Sequence, residues 1–332
     1  MKLVIAPEPA TWLRPLLDTL AGEEVLVVAP WAVPSRLAAL FPRHALGSVR
    51  HVSLPGGFAV RALARRAAVA LGDGADLALT LHTRVALDAL VAAWLPTGVT
   101  QIFAPSLAAQ RTFSKSRAEG VLLQDLPLLR ALHAGLDAAA EQLPAATFLQ
   151  NYRAPRGLMV RQEAEHVLAR RVLVTSRFAR TTLRRRGVAS ERVGALPMPS
   201  RAVPLAYDEH SRHVLLAGTT ASRHGLELAL EAISRTDDLL LSARRGAGSQ
   251  HALLSHPRLR LYEGAPPPVR AVVAPAWVEA FAPETERAAA SGVPLLGTEC
   301  ALGWLEGAST MAPGDTRRLF DFIVGASAKR SA

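Results

Sequence analysis

The sequence has little of several residue types, and each shortage excludes a class of protein. Its 332 residues contain a single cysteine, Cys300, which excludes an internal disulfide framework and a cysteine-based metal cluster. Aromatic residues make up only 5% of the chain, and no aromatic-and-basic motif of a nucleic-acid-binding module is present. The G-x-x-x-x-G-K-[ST] and H-E-x-x-H motifs are also missing, so nothing supports a P-loop ATPase or a zinc protease.

Lysine is scarce as well, although the net charge is +10. Lysine occurs only at Lys2, Lys115 and Lys329, so arginine carries almost all of the positive charge. Arginine and alanine are abundant throughout, which indicates a compositional bias of the source and solvated arginines on many helix faces. The alternative left open is a face that attracts anionic membrane lipid or an anionic substrate. We expect no nucleic-acid partner.

Long hydrophobic runs are missing from the sequence. The apolar stretch in the N-terminal MKLVIAPEPAT is too short for a signal peptide, and no apolar run approaches the roughly 18 residues of a membrane span. We therefore expect a cytoplasmic protein, with peripheral contact at the inner face of a membrane left open. Half of the residues are hydrophobic and a fifth are charged, a globular composition that is long enough for two domains.

Short apolar runs alternate with amphipathic patterns through the first half of the chain. Such alternation predicts a parallel sheet that is covered by helices on both faces. The predicted strands are Lys2–Ala6, Glu24–Ala29, Asp76–Leu81, Val99–Ala104 and Gly120–Gln124, and the predicted helices are Trp12–Leu20, Phe58–Leu71, Val85–Trp94 and Leu128–Leu143.

The alternation of predicted strands and helices ends near residue 200, and a second alternation begins after it. A strand ends at Ser176, a plausible helix N-cap, and the helix after it stops at Gly187. Prolines at 197, 199 and 204 fit a linker, and strand–helix alternation resumes at His213. We therefore predict two α/β domains, residues 1–203 and 204–314, followed by a C-terminal helix and tail over 315–332.

The segment 275–298, PAWVEAFAPETERAAASGVPLLGT, is the most informative in the chain. It resembles the donor-site motif of GT-B glycosyltransferases of the group 1, glycogen-synthase-like class. Glu279 and Phe281 fall on the first glutamate and the aromatic residue of that motif, and the tail AAASGVPLLGT matches it closely. Arg287 stands where the family has its second glutamate, and Glu286 lies one residue short of that position.

The resemblance implies two doubly wound, Rossmann-like domains that face a central cleft, with the nucleotide-sugar donor on the second domain. Gly218 then lies in the phosphate-binding turn, where Thr219 and His224 replace the family's arginine and lysine. Arg223 is a candidate for the missing cation, and its alternative role is that of an exposed turn residue. Arg287 either contacts phosphate or removes the usual ribose contact.

Three residues are candidates for catalysis. Glu279 matches the family glutamate that orients the donor sugar, although a glutamate there can also cap a helix. His82, after a predicted strand, is placed to orient or deprotonate an acceptor hydroxyl. Asp125, in an Asp-x-Pro element, is a second acceptor-side candidate; the alternatives for both are a surface histidine and a turn-forming aspartate.

The activity implied by the resemblance is transfer of a sugar from a nucleotide diphosphate sugar to a hydroxyl acceptor. The acceptor can be a glycan, a lipid-linked glycan or a small molecule, as in polysaccharide biosynthesis. The family further implies retention at the anomeric carbon, with no cofactor and no metal. The alternatives are a non-catalytic GT-B homologue that acts as a binding or scaffold subunit, and a GT-B epimerase or phosphorylase, although the lysine motif that holds pyridoxal in a phosphorylase is missing.

Overall fold

The chain folds around two parallel β-sheets, one after the other in sequence. The computed structural model describes residues 1–33, 35–41, 44–53, 57–71, 73–143, 153–197, 204–246, 252–278, 282–303, 305 and 307–328. Within them, the last strand of the first sheet ends at Ala195 and the first strand of the second begins at His213. The prediction of two α/β domains is confirmed, whereas the boundary at 203/204 borders residues outside this description and stays a prediction.

The first sheet has seven parallel strands in the order β3-β2-β1-β4-β5-β6-β7. Alternate residues of β1 face opposite cores, Leu3 and Ile5 on one side and Val4 on the other, so helices cover both faces. The strands are β1 (Lys2–Ile5), β2 (Val25–Val28), β3 (His51–Val52), β4 (Gln101–Pro105), β5 (Glu119–Gln124), β6 (Arg171–Val174) and β7 (Val193–Ala195).

Seven α-helices accompany this sheet within the described residues. The predicted cap at Ser176 is confirmed, because its hydroxyl accepts the N–H of Ala179 at 2.9 Å. The helices are α1 (Leu13–Thr19), α2 (Gly57–Leu71), α3 (Asp73–Trp94), α4 (Gln110–Lys115), α5 (Leu129–Gln142), α6 (Arg156–Leu168) and α7 (Arg177–Arg185).

The second sheet has six parallel strands in the order β10-β9-β8-β11-β12-β13. It is also covered on both faces, since Val214 and Leu216 of its first strand enter one core and Leu215 and Ala217 the other. Its elements are β8 (His213–Thr219), α8 (Leu226–Ser234), β9 (Leu240–Arg244), β10 (Leu259–Tyr262), β11 (Ala271–Ala274), α9 (Pro283–Ala290), β12 (Leu295–Thr298), α10 (Glu299–Leu302), β13 (Ser309–Met311) and α11 (Thr316–Ala328).

The predicted strand Asp76–Leu81 is wrong, because these residues begin the long helix α3. Buried positions in α3 recur at helical spacing, at Leu81, Arg84, Leu87 and Val91. A short apolar run does not distinguish a buried strand from a helix segment, and here the run continues the helical period that follows it.

Helix α3 also corrects the expectation about membrane spans. Its window Leu77–Trp94, with a mean hydropathy of 1.3, is long and apolar enough to cross a membrane by length and composition alone. Both charged residues of the window are buried and paired inside the first domain, Arg84 with Asp125 and Asp88 with Arg161. Such pairing is typical of the core helix of a folded domain.

The two domains make close contacts along α5 and at the start of α7. Gly135 of α5 lies against the loop after β11, where an added Cβ would come within 2.5 Å of the Trp277 carbonyl oxygen. The N–H of Arg177, at the start of α7, donates to the Gly303 carbonyl at 3.2 Å. The final helix α11 makes its main contacts with α8 and β11 of the second domain, not with the first domain.

Candidate functional site

In both sheets the strand order reverses beside the first strand, between β1 and β4 and between β8 and β11. Ligands of open α/β sheets bind beyond the carboxyl ends of the strands at such points. The polar residues at the carboxyl ends of the strands near these two points therefore define the candidate site.

Three residues lie opposite one another at the carboxyl ends of neighbouring strands in the second sheet. Thr219 of β8 is opposite Arg244 of β9, and Arg244 is opposite Tyr262 of β10. The hydroxyl of Tyr262 is buried, and it has no hydrogen-bond partner among the described residues. Burial, and then the nearby charge of Glu284, raise the pKa of Tyr262 to about 12, so this hydroxyl is a neutral donor and acceptor at physiological pH.

Glu284, in the first turn of α9, ties this edge to the helix that follows β11. Its carboxylate is almost fully buried, pairs with Arg244 and accepts the N–H of Gly218 at 3.3 Å. The side chain of Arg244 is 44% exposed, so its guanidinium also meets the cleft. A paired carboxylate and guanidinium at one strand edge can bind a hydroxyl and an anion side by side.

His224 closes the turn after β8 as a neutral ring. The N–H of Thr219 donates to Nδ1 of His224 at 2.9 Å, which leaves the ring proton on Nε2. Burial, and then the charge of Arg223, lower the pKa of His224 to about 3. Gly218 makes room for the ring, because a Cβ there would lie 2.8 Å from Nδ1. His224 thus replaces the family lysine with a neutral donor.

The turn after β8 packs directly on the loop after β11. Gly225 has a φ of +80°, and an added Cβ would lie 2.2 Å from the Pro275 carbonyl oxygen. The carbonyl of Arg223, which is half-buried, accepts the N–H of Trp277 at 3.0 Å. The structure therefore places the turn after β8 against the loop after β11, the two segments that were predicted to bind the donor. The loop after β11 is described as far as residue 278.

The remaining predicted donor residues divide into two groups. Glu279 and Phe281 lie outside the described residues, so their proposed roles stay predictions. Glu286 and Arg287 are half-buried on α9, and Nη2 of Arg287 lies 3.5 Å from the Pro204 carbonyl oxygen. The carboxylate at the strand edge is Glu284, two residues before Glu286.

In the first domain the side chain of one arginine contacts residues that follow three different strands. Arg84 of α3 reaches Asp125 after β5 with both terminal nitrogens, at 2.8 and 2.9 Å, and it pairs with Glu8 after β1. It also donates to the Ser106 carbonyl after β4 at 3.0 Å, and Trp12 donates to Asp125 at 2.9 Å. Burial alone would lower the pKa of Arg84, but attraction by Asp125 and Glu8 outweighs burial and raises it.

Asp125 is therefore an ion-paired carboxylate, whereas Glu8 keeps one oxygen for other partners. Oε2 of Glu8 is buried and has no hydrogen-bond partner in the part of the chain that the structure describes. His82 does not follow a strand, as the sequence predicted, but lies exposed on α3 two residues before Arg84. The premise for an acceptor role of His82 is thus lost, and Glu8 is the polar group at the end of β1.

A second buried carboxylate network shapes the loop after β4. Glu165 of α6 accepts the N–H groups of Leu107, Ala109 and Gln110 at 2.6, 3.0 and 3.1 Å. Leu107 has a φ of +72°, a conformation that is uncommon without glycine. Burial raises the pKa of Glu165 to about 7 despite these hydrogen bonds. This loop, a potential anion site, is already filled by the protein's own carboxylate.

Sequence reasoning missed Glu8, Arg84, Arg244, Tyr262 and Glu284. Among the strand-end residues, Glu8 carries one weak signal, namely a polar side chain shortly after the apolar run Leu3–Ala6. Arg84 gave no such signal, because it lies between the predicted strand Asp76–Leu81 and the predicted helix Val85–Trp94. Among the described residues, no group of three or more His, Cys, Asp or Glu could hold a metal ion.

Known structures share this architecture. The chain superposes on a sucrose-phosphate synthase from Thermosynechococcus elongatus with a TM-score of 0.62 and 16% identity, covering 98% of this chain and 89% of that one. The fold is GT-B. This confirms the predicted fold class, two parallel-sheet α/β domains of the GT-B type.

Two further GT-B-like structures extend the comparison. Anabaena HepE, solved in complex with UDP, gives a TM-score of 0.58 at 13% identity and covers 100% of this chain and 91% of its own. A UDP-GlcNAc 2-epimerase from Methanocaldococcus jannaschii, solved with UDP-GlcNAc and UDP, gives 0.54 at 9% identity, covering 99% and 94%. At such identities the likeness shows the fold alone. No family model and no curated protein matches the sequence.

Proposed function

We propose that the protein transfers a sugar from a nucleotide diphosphate sugar, bound on the second domain, to a hydroxyl acceptor bound on the first. The single observation that carries the proposal is the polar edge of the second sheet, where Arg244, Tyr262 and Glu284 converge beside the turn of Gly218. HepE and the epimerase were solved with uridine diphosphate compounds, which makes UDP and UDP-sugars the first probes.

On the donor side, side chains rather than backbone amides hold the diphosphate. The N–H groups of Gly218 and Thr219 are engaged by Glu284 and His224. Arg244 and Arg223 therefore supply the positive charge for the departing diphosphate, and a guanidinium can bind phosphate through two parallel hydrogen bonds. Glu284 keeps lone pairs for a donor hydroxyl, because a carboxylate offers about four acceptor positions.

On the acceptor side, Glu8 is the group that can accept a hydrogen bond from an attacking hydroxyl. Its Oε2 atom is buried and without a partner, while Arg84 holds its other oxygen. Asp125 serves to position Arg84, and through it Glu8. Retention at the anomeric carbon remains the outcome that the family resemblance implies.

The contact between the domains supports a shared site. Helix α5 starts four residues after Asp125, and its Gly135 touches Trp277, which is bonded to Arg223. The loops of the donor side and the acceptor side thus meet at the same boundary. Binding both substrates at one boundary is what direct transfer requires.

The second candidate is a non-catalytic binding subunit, and one observation favours it. The protein's own groups occupy the amides of Gly218 and Thr219 that would otherwise meet a diphosphate. In addition, Thr219 and the neutral His224 stand where the family has cations. On this hypothesis the cleft binds a glycan or a protein without turnover.

The test is release of UDP from a panel of UDP-sugars, with and without simple glycoside acceptors. We expect Glu284→Gln to lower kcat/KM at least tenfold, because a carboxylate that accepts from a hydroxyl is lost. Glu231→Gln, on the exposed surface of α8 beside Arg235, is the matched control and should leave the rate unchanged.

The two candidates give different results in this assay. Transfer or hydrolysis that depends on Glu284 supports the transferase. Absence of both UDP binding and UDP release from any donor supports the non-catalytic subunit, and conversion of the sugar without transfer would indicate an epimerase.

A further inference from the structure

Two adjoining cavities lie on the first domain, along the C-terminal end of α6. The larger, about 960 Å³, is lined by Arg117, Arg170, Arg171 and Arg192 together with Val167 and Leu168. The smaller, about 520 Å³, shares Val167 and Arg192 and adds Arg130 and Arg186. We call this continuous surface the α6 groove.

The larger cavity of the α6 groove opens at the edge of the first sheet opposite the candidate active site. Its lining includes Glu119, the first residue of β5, Arg171, the first residue of β6, and Arg192, which immediately precedes β7. These positions mark the amino ends of parallel strands, whereas ligands of the central cleft lie beyond the carboxyl ends. This cavity is therefore separate from the proposed donor and acceptor sites.

The groove carries an excess of positive charge. Its two cavities are lined by six arginines and three glutamates, Glu119, Glu163 and Glu191. The charge of Glu163 is matched by Arg130 and Arg186. Arg117, Arg170 and Arg171 are exposed, and their side chains make no ion pair or hydrogen bond with any described residue.

Beside these arginines, α6 presents an apolar outer face. Val160 and Val167, two turns apart on the helix, are 51% and 79% exposed, and Leu168 is 41% exposed. The opposite face of the same helix is also buried, through Leu158 and Glu165. Exposed apolar side chains that are bordered by charged residues are typical of an interaction site.

We infer that the α6 groove docks on the surface of an anionic phospholipid bilayer. Arginines attract the phosphate groups of the lipid, and the flanking valines and leucine enter the boundary between headgroups and acyl chains. Charge complementarity favours a lipid surface over a neutral protein partner. The exposed aliphatic side chains favour it over a small soluble anion, which would gain nothing from them. This inference does not depend on the proposed transferase activity.

The test is sedimentation of the full chain with vesicles of phosphatidylcholine, with and without phosphatidylglycerol, at two salt concentrations. We expect binding only to vesicles that contain phosphatidylglycerol, with loss at high salt. Each arginine near an anionic surface contributes about fivefold in affinity. The triple variant Arg117→Glu, Arg170→Glu, Arg171→Glu should therefore lose at least about 100-fold.

The control variant changes the same amount of charge elsewhere, at Arg14, Arg317 and Arg318, three exposed residues outside the groove. It should bind the vesicles within about fivefold of the wild type. A second variant, Val160→Ser with Val167→Ser, keeps the charge and should also weaken binding. Thermal unfolding of each variant confirms that it is folded.

Several outcomes would overturn the inference. One is equal binding by the groove variant and the control variant, since charge alone would then account for it. Another is vesicle binding that depends on the arginines but not on the valines and is displaced by millimolar inorganic phosphate, which would show a site for a soluble anion. Failure of the wild type to bind any vesicle also contradicts it.

Discussion

The backbone N–H of Thr219 donates to Nδ1 of His224 at 2.9 Å, and this contact fixes a half-buried histidine as a neutral ring. The unfolded chain has a histidine of ordinary pKa, 6.5, whereas in the folded protein the pKa is about 3. Between these values the unfolded state binds the proton and the folded state does not. The free energy of unfolding therefore falls as the pH drops below 6.5.

The variant His224→Asn tests this linkage. Asparagine Oδ1 can replace Nδ1 as the acceptor for Thr219, but it does not titrate. Between pH 7 and pH 5 we expect the wild type to lose about 2 kcal/mol more unfolding free energy than the variant. Urea titrations at both pH values measure the difference, in which contributions of other groups cancel. Equal losses would show that His224 is protonated in the folded protein at pH 5.

Gly225 and Gly187 form a matched pair that tests the contact between the donor loops. Both have positive φ, +80° and +85°, but a Cβ would lie 2.2 Å from the Pro275 carbonyl at Gly225 and meets nothing within 4 Å at Gly187. Gly187→Ala should cost about 1 kcal/mol for its left-handed backbone alone. Gly225→Ala should cost about 1–3 kcal/mol more, because the loop after β11 must move.

Urea unfolding of the two alanine variants gives the comparison directly. Similar unfolding free energies for both would mean that the turn after β8 does not press on Pro275. In that case the two predicted donor segments would not share one site.

Arg84 should be among the most sensitive side chains of the first domain. Arg84→Met leaves Asp125 and Glu8 buried without their cation, and loss of one partner of a buried pair costs about 3–5 kcal/mol. Arg14→Met breaks an exposed pair with Asp18 and should cost less than about 1 kcal/mol. Chemical denaturation of both variants tests the difference, and a similar small loss for both would remove Arg84 from the centre of the acceptor side.

Most of the fold can be predicted from the sequence, because strands that are buried on both faces appear there as short apolar runs. The interiors of such strands, for example Leu3–Ile5 and Val214–Ala217, are apolar throughout, as expected for strands covered on both faces. The prediction of a strand at residues 76–81 was wrong for a physical reason. The leucines of this segment fit both a buried strand and the first turns of α3. The order of the strands was not predicted, because strand pairs join residues that are far apart in the sequence.

The candidate site was harder to predict from the sequence than the fold. Spacing along the motif directed attention to Glu286 and Arg287, but the side chain that reaches the strand edge is Glu284. Which residue of a short helix faces the sheet depends on where the helix begins, here at Pro283, and a shift of one residue turns a side chain by about 100°. Pairs such as Arg84 with Asp125 join residues far apart in sequence, and no local pattern indicates them.

The central claim is that a nucleotide diphosphate binds at the carboxyl edge of the second sheet, and calorimetric titration of the full chain with UDP tests it most directly. The wild type should bind, and Arg244→Met should bind about 10- to 100-fold more weakly, because one charge-assisted phosphate contact is lost. Arg235→Met, which breaks only a surface pair with Glu231, should bind like the wild type. Absence of binding by the wild type at millimolar UDP, or equal affinity in Arg244→Met, would contradict the account.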